Sequence, residues 1–225
     1  MSITAPALTR AAAAAAVVAG TIFVAVQINH PPMVGESVAT TDWVVRSFAK
    51  ATMSVLALAG ITGMYLRQIR EMKWYGLAGY LALALGYLAM FSVEIIAATV
   101  LPRLVDSNPE FVNDVIVSAA GGAAESDIGG MQLVLGLSGI GYMVGGLVFG
   151  IALSRAGVLA RTPAILLAVG TISTLALAVL PEAFNRPLAV PVGLALIGLG
   201  VSLWRSVRPG VSTQEPAGVG EAVVR

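Results

Sequence analysis

A chain of 225 residues that is 57% hydrophobic and only 11% charged is not an ordinary soluble globular domain. It has no cysteine and one histidine, His30, which excludes disulfides, thiolate metal sites, iron–sulfur clusters, bis-histidine haem and multi-histidine metal centres within one chain. The net charge of +1 says little, because the information lies in where the charges fall.

In chain order, hydropathy places six apolar segments at about 10–28, 43–66, 74–101, 130–153, 162–180 and 188–205, each about as long as a bilayer is thick. A spanning segment must satisfy its backbone internally, and none of these alternates as a barrel strand does, so all six are predicted helices. The expected fold is an all-α integral membrane bundle over residues 1–208, followed by a disordered tail, 209–225. The first segment, Arg10 followed by Ala11–Val26, reads as an uncleaved span. It is long for a signal peptide, and no small-residue cleavage site precedes Pro31-Pro32.

The basic residues orient the bundle. Arg10, Arg67, Arg70, Lys73, Arg155, Arg161, Arg205, Arg208 and Arg225 flank one side, against Arg46, Lys50, Arg103 and Arg186 on the other. This bias predicts cytoplasmic termini in a cell membrane, with the acidic residues concentrated toward the outer face.

The longest connection, Pro102 to Gly129, carries its own helix signal: Asn108 as cap, Pro109 in the first turn, Glu110 at the dipole's positive end and Gly121-Gly122 as a stop. An extra extracytoplasmic amphipathic helix is expected at 109–119. Phe111, Val112, Val115 and Ile116 form one face and Asn113 and Asp114 another, and the helix lies over the mouth of the bundle or in the interface. The fourth span holds Gly141-x-x-x-Gly145 and Gly146-x-x-x-Gly150, a spacing that lets backbones approach within one bundle or across a homodimer built on 130–153. Trp43, Trp74, Tyr75 and Trp204 sit at span ends and read as an interface belt.

The chemically distinctive residues lie toward the outer face. Glu94 falls seven residues before Leu101, about 10 Å inside the end of its span. Asp42, Arg46 and Lys50 form one stripe on the second span, with Lys50 about 12 Å inward of Asp42 and so at the depth of Glu94. Cations in the opening turns oppose the helix dipole and need partners elsewhere, for which Glu94, Glu125 and Asp127 are the candidates. Two readings stay open. One is a structural ion-pair network. The other is a pocket in which Arg46, Lys50, Asp42 and His30 bind a lipophilic or anionic small molecule while Glu94, Asp127 and Glu125 do acid/base work.

The run Ile28-Asn29-His30-Pro31-Pro32, then Trp43, then Gly60-Ile61-Thr62-Gly63-Met64-Tyr65-Leu66-Arg67 resembles that of small polytopic membrane proteins common in high-GC actinobacteria. The resemblance implies a bacterial plasma-membrane bundle and brings no activity with it. The sequence therefore leaves three functions open: a non-enzymatic membrane protein with a structural or ligand-binding charge cluster, an acid/base cyclase or isomerase of a lipophilic substrate, and a proton- or cation-coupled carrier. No cofactor, metal or nucleic acid is expected. The bilayer is the expected partner. An enzyme should place a second carboxylate beside Glu94 in an enclosed pocket, a carrier should show a polar path to the far side, and a structural network should show no cavity.

Overall fold

The computed structural model describes residues 4–173, 175 and 185–207, without the side chains of 185 and 186. Among these residues the regular structure is helical: α1 Ala5–Ala25, α2 Gly35–Val38, α3 Thr41–Arg67, α4 Trp74–Thr99, α5 Leu101–Leu104, α6 Pro109–Ala119, α7 Gly130–Ala156, α8 Arg161–Ile172 and α9 Asn185–Ser206. Five segments among the described residues are long and apolar enough to cross a membrane, namely α1, α3, α4 with α5, α7 and the Pro187–Ser206 part of α9. This supports a membrane location. The span expected at 162–180 is represented by the twelve residues of α8, and its remainder lies outside the described residues, as does the 209–225 tail.

Local chemistry fixes the helix ends. The Thr40 hydroxyl accepts from the Trp43 amide at 3.3 Å to start α3, and Asn108 Oδ1 accepts from the Phe111 amide at 3.4 Å to start α6. Gly157, with φ of 70°, ends α7 in a left-handed cap that most side chains would strain.

Helices α1, α3, α4, α7, α8 and α9 pack as a closed ring. α1 lies against α3, α3 against α4, α4 against α7, α7 against α8, α8 against α9, and α9 returns to α1. Neighbours run antiparallel. One end of the ring carries α6 and the start of α3; at the other, Arg67 Nε donates to Ser206 Oγ at 3.1 Å, joining the ends of α3 and α9.

Small residues set the spacing of the ring. An added Cβ at Gly79 would lie 2.6 Å from the Phe149 amide nitrogen, and one at Gly86 2.5 Å from that of Tyr142, so α4 and α7 meet backbone to backbone. Gly141 and Gly145 complete that seam, whereas Gly146 and Gly150 face Thr171, Ala164 and Ala168 of α8. Both glycine pairs of α7 are thus used inside the chain.

The two halves of the ring differ in filling. Toward the Arg67 end its interior is occupied by Met64, Leu83, Phe149, Leu153, Leu199 and Leu203, all fully buried. At the α6 end a separate apolar cluster joins Val38, Trp43, Ala97, Leu101, Val112, Val115, Ile116 and Ile128, seating α6 on α3 and α4. Between them the ring is not filled.

Candidate functional site

Lys50 of α3 and Glu94 of α4 meet as their matched depths require. Lys50 Nζ donates to Glu94 Oε1 at 3.1 Å, with the side chains 20% and 12% exposed. The second oxygen, Glu94 Oε2, is buried and has no hydrogen-bond partner among the described residues. Burying such an acceptor costs on the order of 1–3 kcal/mol. The arrangement is therefore incomplete as a purely structural device.

Both residues line a cavity of about 490 Å³ inside the ring, within the size range of small-molecule sites. Its apolar wall includes Phe23, Val26, Met33, Met53, Met90 and Leu135, while Gln27, Gln132, Ser138 and Tyr142 add polar groups. Residues 118–121, at the end of α6, close over part of it. Toward the ring's filled half stand Phe23 and Tyr142, stacked with centroids 6.4 Å apart, and Tyr87 meets Tyr142 edge-on at 6.2 Å. Three methionines lend the wall an adaptable surface.

Gly136 and Gly139 belong to this site for a reason opposite to that of their neighbours on α7. A Cβ on either meets nothing within 4 Å. Glycine inside a helix costs roughly 0.5–1 kcal/mol relative to alanine, and here no close helix approach offsets it. Both residues line the cavity.

The other expected site residues are placed elsewhere. Arg46 does not line the cavity. Its Nε donates to Asp42 Oδ1 and Oδ2, each at 2.9 Å, and its Nη1 donates to the carbonyls of Val26 at 3.1 Å and Ile28 at 2.9 Å. It thereby satisfies carbonyls left open where α1 ends, at the negative pole of that helix. The partners expected for this cation were carboxylates elsewhere in the bundle; those found are Asp42 on its own helix and backbone oxygens of α1. Asp42 is half-exposed and serves Arg46. His30 Nδ1 lies 2.7 Å from the Pro31 carbonyl oxygen and its ring sits edge-on to Trp43 at 6.3 Å, outside the cavity lining.

Glu125 and Asp127 are exposed and absent from the cavity lining. Asp127 Oδ1 accepts from the Gly129 amide at 2.7 Å, forming a turn at the entry to α7. Glu125 contributes its backbone: its amide donates to Asp114 Oδ1 at 3.0 Å. Asp114 was expected on the polar face of α6 but is buried there, also accepting from the Ser126 amide at 3.0 Å and from the Ser126 hydroxyl. The Ser126 hydroxyl first, then the Glu125 amide, hold its carboxyl below the usual value.

Trp43 is also reassigned. Instead of joining an interface belt it is buried, and its indole Nε1 donates to the Ala97 carbonyl at 3.1 Å, tying α3 to α4 just beyond Glu94. Trp74 and Trp204 do stay exposed at span ends. Sequence reasoning missed Gln27, Gln132, Ser138 and Tyr142 as cavity groups. Unlike Glu94, a glutamine, serine or tyrosine in or beside a span carries no desolvation signal strong enough to single it out.

No family model, curated protein or solved structure matches the chain, so no role is carried onto these residues from a relative.

Proposed function

We propose that this is a six-span protein of a bacterial plasma membrane, with cytoplasmic termini, that binds a small lipophilic molecule by a hydrogen-bonding head group in the cavity between α1, α3, α4 and α7. The observation that carries the reading is Glu94 Oε2, an acceptor buried beside an unfilled space and without a partner among the described residues. The charge of Glu94 is already balanced by Lys50. The complementary ligand group is therefore one that donates to Oε2 and accepts from a remaining Lys50 N–H: a hydroxyl or an amide rather than a free anion. The apolar wall accommodates a hydrocarbon body.

The three functions left open by the sequence fare differently against this geometry. A cavity beside the ion pair favours binding over a network that merely holds helices together. Among the described residues no second carboxylate lines the cavity with Glu94, which disfavours acid/base catalysis by a carboxylate pair. The apolar filling between Tyr142 and the Arg67 end disfavours a carrier with a continuous polar path. The basic flanks support placing the α6 end outside.

The reading is tested with a single-chain alcohol carrying a photoreactive diazirine beside its hydroxyl, added to the protein in detergent. Saturable labelling of peptides containing Met53 and Met90, competed by the unlabelled alcohol and abolished in Lys50→Met/Glu94→Leu, is expected. Absence of saturable labelling, or labelling unchanged in that double variant, would overturn it.

A further inference from the structure

A second hollow lies on the outside of the ring, along the seam of α4 and α7. It is lined by Ala82, Leu85, Leu133, Leu137, Ile140 and Val144, with Gln132 and Gly136 at its inner edge, and encloses about 650 Å³. Its lining is almost wholly apolar and contains no charged residue, and α4 and α7 are both candidate membrane spans. Leu133 and Ile140 are among the most exposed large apolar side chains of the bundle, at 66% and 62%.

The groove and the central cavity meet at two residues. Gln132 and Gly136 line both. Farther along α7, Gly141 and Gly145 press α7 onto the α4 backbone, whereas at Gly136 and Gly139 no atom stands within 4 Å of an added Cβ. The seam is in backbone contact from Gly141 toward the Arg67 end, while toward the α6 end Gly136 and Gly139 leave open space beside it, at the level where the cavity holds Glu94.

We infer that the parted α4–α7 seam is a lateral portal: the ligand is a membrane-resident single-chain amphiphile whose head group lies at Lys50–Glu94 and whose hydrocarbon chain leaves the cavity past Gly136 to lie in the outer groove. This rests on the ligand-binding reading above and narrows the class of molecule. A groove on the lipid-facing side of two spans is bathed in hydrocarbon, so an apolar chain has little to gain there from burial alone. What selects it is continuity with a polar anchor point inside the ring. The chain stays in its own solvent while the head group exchanges the interface for hydrogen-bonding groups inside the ring, Gln132 at the portal and the ion pair beyond it. A water-borne polar ligand would have no use for such a route.

The test uses the full chain reconstituted in phosphatidylcholine vesicles and two versions of one long-chain alcohol, with the diazirine either beside the hydroxyl or at the far end of the chain. The head probe is expected to label the Met53 and Met90 peptides, and the far-end probe the peptide carrying Leu133, Leu137 and Ile140, each competed by the unlabelled alcohol. Gly136→Phe puts a ring into space that is empty, so the fold has no reason to break, and competable labelling by both probes is expected to be lost. Leu81→Phe, at an exposed α4 position outside both linings, should label like the parent. If the head probe labels the cavity but the far-end probe labels Phe23 and Val26 instead, or Gly136→Phe labels like the parent, the portal is wrong and the binding site stands. If neither probe gives competable labelling, the binding site itself has failed and the portal falls with it.

Discussion

Lys50 and Glu94 come from helices whose contacting residues are 44 positions apart in the chain, yet their side chains meet at 3.1 Å next to a cavity that neither helix encloses alone. The pair ties α3 to α4 and presents polar atoms to the interior. Its two duties can be separated by mutation.

Removing one member strands the other in a mostly buried setting. Lys50→Met or Glu94→Leu alone should each lower stability by roughly 1–3 kcal/mol, between the values for exposed and fully buried pairs. The double variant should regain a substantial part of the summed loss. Denaturation in detergent of the four proteins completes the cycle, and strictly additive losses would show that the two groups do not couple.

Arg46 should matter more than its ion pair with Asp42 suggests. Arg46→Ala leaves the Val26 and Ile28 carbonyls without its guanidinium and is expected to cost about 1.5–3 kcal/mol. Asp42→Ala, at a half-exposed partner, should cost less than about 1 kcal/mol. Arg46→Lys should not restore the parent value, because one ammonium does not reproduce a fork that binds a carboxylate and two carbonyls together. Equal effects of Arg46→Ala and Asp42→Ala would contradict the assignment to the end of α1.

The glycines of α7 predict opposite outcomes on one helix. A Cβ at Gly145 falls on the Leu83 backbone nitrogen, so Gly145→Ala should force α4 and α7 apart and destabilise markedly. Gly136→Ala meets nothing and should be neutral or stabilising by up to about 1 kcal/mol through helix propensity. Melting of both variants in the same detergent settles the order.

Asp114 anchors the 125–126 turn through a carboxylate whose protonation is disfavoured in the folded protein. A carboxyl held below its ordinary value contributes fully above about pH 4, and that contribution is lost as pH falls through the lowered folded value. A spin label at Ala123→Cys, in a chain with no other cysteine, should therefore be restrained at neutral pH and loosen only below about pH 4. Asp114→Asn should show the loosened spectrum at both.

Reporter fusions after Arg70 and Arg155 should read as cytoplasmic, and fusions near Asp106 as external. A reversed pattern would turn the cavity end of the ring toward the cytoplasm.

Much of this architecture is legible in the sequence wherever one helix carries the signal. Asn108, Pro109 and the spacing of Val112, Val115 and Ile116 announce α6 to the residue, and rise per residue alone brings Lys50 and Glu94 to one depth. What escapes it depends on two elements at once. Arg46 pairs with carbonyls of α1, and a backbone oxygen leaves no trace in the alphabet of side chains. Asp114 looks solvent-facing by helical period, but it is turned inward by a loop eleven residues later. Trp43 looks like an interface anchor until the Ala97 carbonyl is set beside it. The six glycines of α7 at positions 136–150 read alike in sequence, and only the neighbouring backbone separates those that close the seam from those that leave it open.

The return of α9 to α1 has a consequence for synthesis. α1 emerges from the ribosome first and finds α3 soon afterwards, but the surface around Gly20 that receives Gly193 and Ile197 waits until almost the whole chain has been made. Through that interval the ring is a split cylinder with its interior open on one side. α9 acts as the closing stave, so a chain stalled before it would carry an unsealed cavity and an α1 with one flank unpaired.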